Sequence, residues 1–180
     1  MSERPKLMLV GLMGKARHGK DTVASLIENA CSPPLHIERM AFADAVKARA
    51  RKFGWDGNKD VNGRALLQYI GLSERAYEPY RWIDAVARRI EVAPKENAVF
   101  VITDVRFANE VEWIRSIGGS LWRIVRPNFD NGLNATLAAH PSETETDLIT
   151  ADAVVVNDGD IDVLSARITR MCRQFFGVPR

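Results

Sequence analysis

The stretch GKARHGKDTVASLI, residues 14–27, decides the fold of this protein. Two glycines stand five positions apart, Lys20 follows the second, and an amphipathic segment begins immediately afterwards. The pattern matches the phosphate loop GxxxxGK[ST] except at its last position, where Asp21 replaces the hydroxyl residue. Because the apolar run LMLVGLM at 7–13 directly precedes the glycines, the segment has the order of strand, loop and helix that a phosphate loop requires.

The residues of this loop have separate physical tasks. Gly14 and Gly19 let the backbone approach a phosphate closely, so that successive N–H groups and the N-terminal dipole of the helix surround it. Lys20 is placed to bridge the β- and γ-phosphate oxygens of a nucleotide. The side chains that would add positive charge or hydrogen-bond donors are Lys15, Arg17 and His18. The alternative interpretation is a glycine-rich turn between a strand and a helix, without a ligand.

Asp21 is the unusual residue of the loop, because a carboxylate adds negative charge beside phosphates. In the usual loop the hydroxyl at this position coordinates Mg²⁺. Asp21 would hold the metal directly or through water, or it would begin the helix and favour its dipole while Thr22 supplies the hydroxyl.

The size and charge of the chain narrow the classes of protein to which it can belong. Its 180 residues, 46% of them hydrophobic, suffice for one domain with a substantial core. The formal net charge of +2, from 25 basic and 23 acidic side chains, is too small for a protein that coats a nucleic acid polymer. An anionic ligand must therefore be met by a local site.

The cysteines and the N-terminus favour an intracellular protein. Cys31 and Cys172 are too few and too far apart in the sequence for a disulfide framework or a zinc site. The first residues lack the pattern of a secretory signal, and no apolar run approaches the ~18 residues of a membrane span. We expect a soluble, cytoplasmic protein that binds no membrane.

Short apolar runs alternate with helical patterns along the rest of the chain. The runs AVFVIT at 98–103, SLWRIV at 120–125 and AVVVN at 153–157 are rich in β-branched residues, and most lack polar alternation, as buried parallel strands do. A last helical pattern starts at Asp160, and Gly177 is its predicted stop. This alternation predicts a three-layer α/β fold in which helices flank a parallel sheet.

Two regions depart from the alternation within the single domain predicted for residues 1–180. Residues 38–92 are mostly helical in pattern, with the interruption FGWDGNKDVNG, and are predicted as a helical insertion. Residues 126–150 form a long polar stretch, which predicts a lid because phosphoryl transfer requires water to be excluded. The lid contains a polar group of His140, Ser142 and Glu143. Arg123 and Arg126 lie near its start and are expected to contact phosphates when the lid closes.

A second candidate site follows the run at 98–103. Asp104 comes directly after this predicted strand, at the edge of the sheet where ligands bind in such folds, and would bind a metal or a water molecule. Arg106 is spaced to reach the same crevice and to hold phosphate oxygens with its planar fork. The alternative is that Asp104 caps the following helix and pairs with Arg106.

With these motifs assembled, the chain resembles the phage deoxynucleoside monophosphate kinases, a branch of the nucleoside monophosphate kinases with a phosphate loop. The likeness covers nearly the whole chain, through GKARHGKDT, FADAVK, GRALLQYIG, YRWIDAVA, VITDVRFANEVEWIRSIGGSLWRIVRP, HPSE and VVVNDG. The family has Asp after the loop lysine, so Asp21 follows its pattern. The resemblance implies a kinase that transfers the γ-phosphoryl of ATP, with Mg²⁺, to a deoxynucleoside 5′-monophosphate (dNMP).

The resemblance also implies roles for individual residues. The residues assigned to ATP and the metal, by the loop motif or by the resemblance, are Gly14, Lys15, Arg17, His18, Gly19, Lys20, Asp21, Thr22 and Asn157, the last near the adenine. Asp104, from its place after the strand, is a further candidate metal ligand. The candidate catalytic residues, from the motifs described above, are Lys20, Asp104, Arg106 and Arg126. The implied substrate-binding residues are Phe42, Lys47, Arg64, Gln68, Gly71 and Trp82. Trp82 would stack on a base, although its apolar helical stripe fits a core residue equally well, and Lys47 and Arg64 fit solvated side chains. The implied partner is a dNMP; a homodimer and, for a phage-encoded protein, the host cytoplasm are compatible with the likeness.

Two other functions fit part of the pattern. A kinase with the same fold but another small metabolite as acceptor would share the phosphate loop. A nucleotide-dependent switch of the GTPase kind requires NKxD and a DxxG after a strand. The chain has NKDV at 58–61, which lacks the final Asp, and DVNG at 60–63, which follows no apolar strand.

Overall fold

A five-stranded sheet and its flanking helices form the computed structural model, which describes residues 7–31, 35–94, 96–130 and 148–177. The strands are β1 (Met8–Met13), β2 (His36–Met40), β3 (Ala98–Val105), β4 (Ser120–Val125) and β5 (Ala153–Val156). The helices of the described residues are α1 (Lys20–Cys31), α2 (Phe42–Lys52), α3 (Val61–Tyr77), α4 (Arg81–Val92), α5 (Ala108–Ser116) and α6 (Ile161–Phe176). None of these helices has the length and apolarity needed to cross a lipid bilayer.

The sheet has the order β2-β3-β1-β4-β5, and β1 pairs in parallel with both β3 and β4, as β4 does with β5. Alternate side chains of β1 point to opposite faces. Val10 and Leu12 join the core that includes α1 and α6. On the other face, a Cβ added at Gly11 would lie 2.8 Å from the Cδ1 of Ile114 in α5, so this glycine allows close packing. Helices therefore cover both faces, and the predicted three-layer α/β fold is confirmed.

The end of α6 follows from local chemistry, as predicted. The Asp160 carboxylate accepts hydrogen bonds from the backbone N–H groups of Asp162 and Val163 and so caps the N-terminus of the helix. At the other end Gly177 has a φ of 67°, a left-handed conformation that glycine adopts without a Cβ penalty. The predicted stop at Gly177 is confirmed.

Two predicted boundaries differ from the structure by two residues or more. Residues 38–40, predicted as part of the helical insertion, belong to β2, an edge strand of the sheet. Its sequence HIERM carries three polar side chains and only its last residue is buried, so it has no apolar run to reveal it. The strand predicted at 98–103 continues to Val105 and therefore includes Asp104.

The described residues divide into two compact units. The smaller unit has the bounds Met40–Ala93 and contains α2, α3 and α4, which confirms the helical character predicted for most of residues 38–92. The larger unit comprises Met1–Arg39 and Pro94–Arg180.

Cys31 and Cys172, distant in the sequence, are both fully buried in the core that joins α1 and α6. They are free thiols, as expected. Hydrogen bonding with Cys31, together with burial, raises the pKa of the Cys172 thiol above its usual range. The protonated, buried form of this side chain acts as a small apolar core residue.

Candidate active site

The phosphate loop, residues 14–21, connects β1 to α1 and depends on its two glycines. Gly14 has a φ of 137° and Gly19 a φ of 97°, conformations that are strained for other residues. A Cβ added at Gly14 would also collide with the carbonyl oxygen of Ile124 in β4. The loop therefore lies directly against the neighbouring strand, and side-chain-free backbone is required for this approach.

Lys20 folds back over the loop that precedes it. Its Nζ donates hydrogen bonds to the carbonyl oxygens of Gly14, at 2.7 Å, and Lys15, at 2.8 Å. The backbone N–H of His18 donates to the Lys15 carbonyl at 3.3 Å and closes a turn. These contacts occupy loop carbonyl oxygens and hold an ammonium group at the loop, an arrangement that suits an anion bound to loop N–H groups.

Hydrogen bonds connect His18 of the loop to residues at the ends of β4 and β5. The buried imidazole of His18 accepts a hydrogen bond at Nδ1 from the backbone N–H of Arg126, with a length of 3.3 Å. The Asn157 side chain donates to the carbonyl oxygen of His18 at 3.1 Å. Asn157 Nδ2 also lies 2.7 Å from the position of a Cβ added at Gly19. Asn157, predicted near the adenine, thus supports the loop in this structure.

Asp21 extends into solvent at the start of α1. Its carboxylate side chain is 89% exposed, and the guanidinium of Arg39 lies 3.4 Å from its Oδ1. Arg39 also donates to the Ser25 hydroxyl at 3.3 Å. Thr22 is exposed beside Asp21. Arg39 therefore offsets part of the negative charge that the unusual carboxylate brings to the loop.

Oxygen ligands for a metal are present at the loop, although no group of three or more His, Cys, Asp or Glu side chains that could hold an ion occurs among the described residues. The Asp21 carboxylate and the Thr22 hydroxyl are hard ligands of the type that Mg²⁺ prefers. Since Mg²⁺ commonly binds through one or two protein oxygens together with substrate phosphates, this small donor set fits it.

Glu110 organises the chain that leaves β3. It is a buried carboxylate, 1% exposed, and accepts hydrogen bonds from the backbone N–H groups of Arg106, at 2.8 Å, and Phe107, at 3.1 Å. Glu110 thus caps the N-terminus of α5, where Phe107 is the N-cap residue. Asp104 itself lies in β3, and its contact with the helix or with Arg106 stays a prediction.

Two arginines, Arg123 and Arg126, lie near the start of the predicted lid and make different contacts. The Arg126 guanidinium lies over the Phe129 ring, 4.0 Å from its centroid, in a cation–π contact. Arg123, considered for phosphate contact, donates instead to the carbonyl oxygen of Ile149, where the chain returns towards β5. The predicted polar group of His140, Ser142 and Glu143 lies outside the described residues.

The substrate-binding residues predicted in the smaller unit fall into two groups. Phe42 and Trp82 are buried, at 3% and 4% exposure, and the Trp82 indole N–H donates to the Gly71 carbonyl oxygen at 3.1 Å. The Trp82 contact favours packing between α3 and α4, the interpretation left open for Trp82. The accessible polar members are Lys47, which pairs with Asp44 at 3.1 Å, Arg64, whose Nε donates to the Lys59 carbonyl oxygen, and the exposed Gln68.

A cavity of about 310 Å³ opens among α2, α3 and α4 beside Trp82. Three alanines, Ala45, Ala48 and Ala85, leave this space, and its charged rim includes Glu74. Glu74 holds Arg49 at 2.6 Å and Arg81 at 2.8 Å. Two arginines of the rim are thus paired with Glu74.

Sequence reasoning missed three residues of the larger unit: Arg39, Glu110 and Phe129. Glu110 lies three residues after Phe107, and this N-cap-to-Glu spacing is a signal that could have revealed it. Arg39 and Phe129 contact residues far away in the sequence or within a polar stretch, and no local pattern indicates them.

Comparison with known proteins assigns the chain to a family. The family model described as deoxynucleotide monophosphate kinase matches residues 64–168, more than half of the chain. The chain belongs to the deoxynucleotide monophosphate kinase family. A protein of Acanthamoeba polyphaga mimivirus, which bears this kinase name provisionally, is 27% identical over 191 residues, covering 90% of this chain and 94% of its own. Family membership makes the chain a nucleotide kinase of the phosphate-loop class.

Solved structures support the fold of this kinase. A dephospho-CoA kinase from Campylobacter jejuni is similar with a TM-score of 0.53 and 13% identity, covering 93% of this chain and 96% of its own. The Aquifex aeolicus shikimate kinase has a TM-score of 0.52 and 15% identity, covering 93% and 97%. The Mycobacterium tuberculosis APS kinase in complex with AMPPNP and APS has a TM-score of 0.53 and 13% identity, covering 94% and 99%. Because the acceptors named for these kinases differ, the fold alone does not select an acceptor.

Proposed function

We propose that this kinase transfers the γ-phosphoryl group of ATP to a deoxynucleoside 5′-monophosphate and so produces ADP and a deoxynucleoside diphosphate. The observation that carries the proposal is the phosphate loop with Lys20 folded over it, in a chain that belongs to the deoxynucleotide monophosphate kinase family. The reaction proceeds by positioning and charge neutralisation, without a covalent intermediate on the protein.

The phosphate loop and the strand ends bind the phosphates of ATP in this proposal. Backbone N–H groups of the loop hold the β-phosphate, and Lys20 moves from the loop carbonyl oxygens to the β- and γ-phosphate oxygens. The side chains that add charge around them are Lys15, Arg17, Arg106 and Arg126. These groups neutralise the negative charge of the transferring group, which stabilises the transition state more than the ground state.

A magnesium ion accompanies ATP in this proposal. Asp21 and Thr22 at the start of α1, and Asp104 at the end of β3, supply the protein oxygens that would hold it. When bound, the ion neutralises phosphate charge. Arg39 keeps the Asp21 carboxylate at the start of the helix and limits its repulsion of the phosphates.

The Met40–Ala93 unit binds the acceptor in this proposal, as a helical insertion within a single kinase domain. Lys47, Arg64 and Gln68 offer the accessible polar groups for the monophosphate and its base. Residues 126–150, of which 131–147 lie outside the described residues, are proposed as the lid that excludes water.

An acceptor panel tests this function. With ATP and Mg²⁺, we expect ADP formation to depend on a deoxynucleoside monophosphate and to exceed the rate without acceptor by at least about 10²-fold, since well-positioned acceptors gain large effective molarities. The panel contains the four dNMPs, the four ribonucleoside monophosphates, and phosphorylated and hydroxylated metabolites. Transfer to a metabolite with no transfer to any nucleotide would disprove the proposal.

The DVNG sequence, which was considered for the GTPase-type alternative, has a different role in the structure. In DVNG at 60–63, the Asp60 side chain accepts from the Gly63 backbone N–H at 2.7 Å and caps α3. This aspartate therefore begins a helix, and the pattern is no switch motif.

Arg106 provides a specific test of the proposed chemistry. We expect Arg106→Ala to lower kcat by about 10²-fold and to change the Kd for ATP by less than about threefold, because its charge acts mainly in the transition state. The backbone N–H of Arg106 stays bound to Glu110, so the substitution leaves this turn in place. Initial rates and calorimetric ATP binding measure the two quantities. Arg170→Ala, at an exposed position of α6, is the matched control, and wild-type turnover of Arg106→Ala would make Arg106 a structural residue.

A further inference from the structure

Three hydrogen bonds connect His18 of the phosphate loop with the ends of β4 and β5. The His18 ring accepts from the Arg126 N–H, and its carbonyl oxygen accepts from the Asn157 side chain. The Asn157 backbone N–H donates to the carbonyl oxygen of Val125, the residue before Arg126, at 2.7 Å. These hydrogen bonds therefore join three segments that lie far apart in the sequence.

The position of Arg126 in the sheet explains why this contact matters. The pairing of β4 with β5 extends to Val125 and Val156, so Arg126 is the first residue beyond the ladder. Its N–H group would lose a partner where the sheet ends, and the ring of His18 provides one. An acceptor role at Nδ1 requires this nitrogen to be unprotonated, which leaves the proton of the neutral ring on Nε2.

Side-chain contacts through Phe129 also connect His18 with Arg126. The Phe129 ring meets His18 edge to face with centroids 6.3 Å apart, and carries the Arg126 guanidinium on its face. His18 thus touches both the backbone of Arg126 and the ring on which its guanidinium lies. His18 is buried, with 9% of its surface exposed.

We propose that His18 is a positioning residue, which holds the backbone of Arg126 against the phosphate loop and thereby sets where the Arg126 guanidinium acts. This proposal rests on the proposed phosphoryl transfer for its catalytic part. Arg126 carries the charge, and His18 acts through it. A misplacement of about 1 Å at a catalytic group is enough to cost a large factor in rate.

Three substitutions of His18 separate the hydrogen bond from the volume of the ring. His18→Asn places an amide oxygen near the position of Nδ1 and keeps an acceptor for the Arg126 N–H. His18→Gln carries its amide oxygen further out, near the position of Nε2, and His18→Leu has no acceptor. His36→Leu is the matched control, because the side chain of His36 is 66% exposed on β2.

Amide hydrogen exchange tests the contact without any substrate. By NMR, we expect the Arg126 amide to exchange at least about tenfold faster in His18→Leu and His18→Gln than in the wild type. His18→Asn should stay within about threefold, and His36→Leu should match the wild type. Unchanged exchange of the Arg126 amide in a folded His18→Leu or His18→Gln protein would overturn the proposal.

A double-mutant cycle tests the action through Arg126. We expect His18→Gln to lower kcat by about tenfold and Arg126→Ala by about 10²-fold, while the double variant stays within about threefold of Arg126→Ala. His18→Asn should recover most of the activity. Effects that multiply to about 10³-fold would show a merely structural role and overturn the proposal. If no dNMP accepts phosphate, the proposed function fails, whereas amide exchange still decides the His18 contact.

Discussion

Replacing Lys20 by alanine should lower phosphoryl transfer by at least about 10³-fold, because the ammonium group neutralises charge on the β- and γ-phosphates. The substitution also removes the two hydrogen bonds to the Gly14 and Lys15 carbonyl oxygens. These hydrogen bonds are confined to one loop, so we expect the melting temperature to fall by no more than a few degrees, about 1 kcal/mol of unfolding free energy.

Initial rates with ATP, Mg²⁺ and the best dNMP measure this loss. Lys59→Ala is the matched control, since Lys59 is exposed in the loop before α3, and it should keep the wild-type rate. Lys20→Arg separates charge from shape, because the guanidinium keeps the charge without the compact geometry of the ammonium. A Lys20→Ala protein that keeps more than about a tenth of the activity would contradict the role assigned to this lysine.

Gly14→Ala should be the most destabilising exchange of a single small residue in the loop. At a φ of 137° an alanine is strained, and its Cβ would collide with the Ile124 carbonyl oxygen, a backbone atom that cannot rotate away. We expect the free energy of unfolding to fall by about 3 kcal/mol or more, from backbone strain and the displacement of β1 from β4.

Urea unfolding measures this effect, and the chain offers a matched control. Gly118 also has a positive φ, of 82°, but a Cβ added there meets nothing within 4 Å. Gly118→Ala should therefore cost only the backbone term, about 1 kcal/mol. If the two substitutions destabilise the protein equally, close packing of the loop against β4 is not what requires glycine at position 14.

Local signals predicted the parts of the fold that bury apolar side chains or bend the backbone. The strands at β1, β3, β4 and β5 appeared as apolar runs because the sheet is covered on both faces. The edge strand β2 did not appear, since an edge strand with polar side chains lacks that pattern. The end of β3 at Val105 was missed by two residues, because polar Asp104 interrupts the apolar run within the strand.

The candidate site also has one part that local sequence signals predicted and another part that they did not. Glycine spacing and the following lysine indicated the phosphate loop, since the dihedral angles and charge that it needs belong to consecutive residues. The contacts that support the loop were not indicated by any local pattern in the sequence. Arg126 and Asn157 are separated from His18 by 108 and 139 positions, and only the parallel order of β1, β4 and β5 brings them together.

The sequence by itself determined the class of this protein: a phosphate-loop α/β kinase whose motifs resemble those of its family. These features depend on residue type and short spacing, which act through local dihedral angles, helix dipoles and apolar periodicity. The tertiary structure alone decided that Arg39 faces Asp21, that Trp82 is buried against Gly71, and that His18 meets Arg126. Such contacts join segments whose distance depends on strand order and helix packing, and a pattern of neighbouring residues carries no information about them.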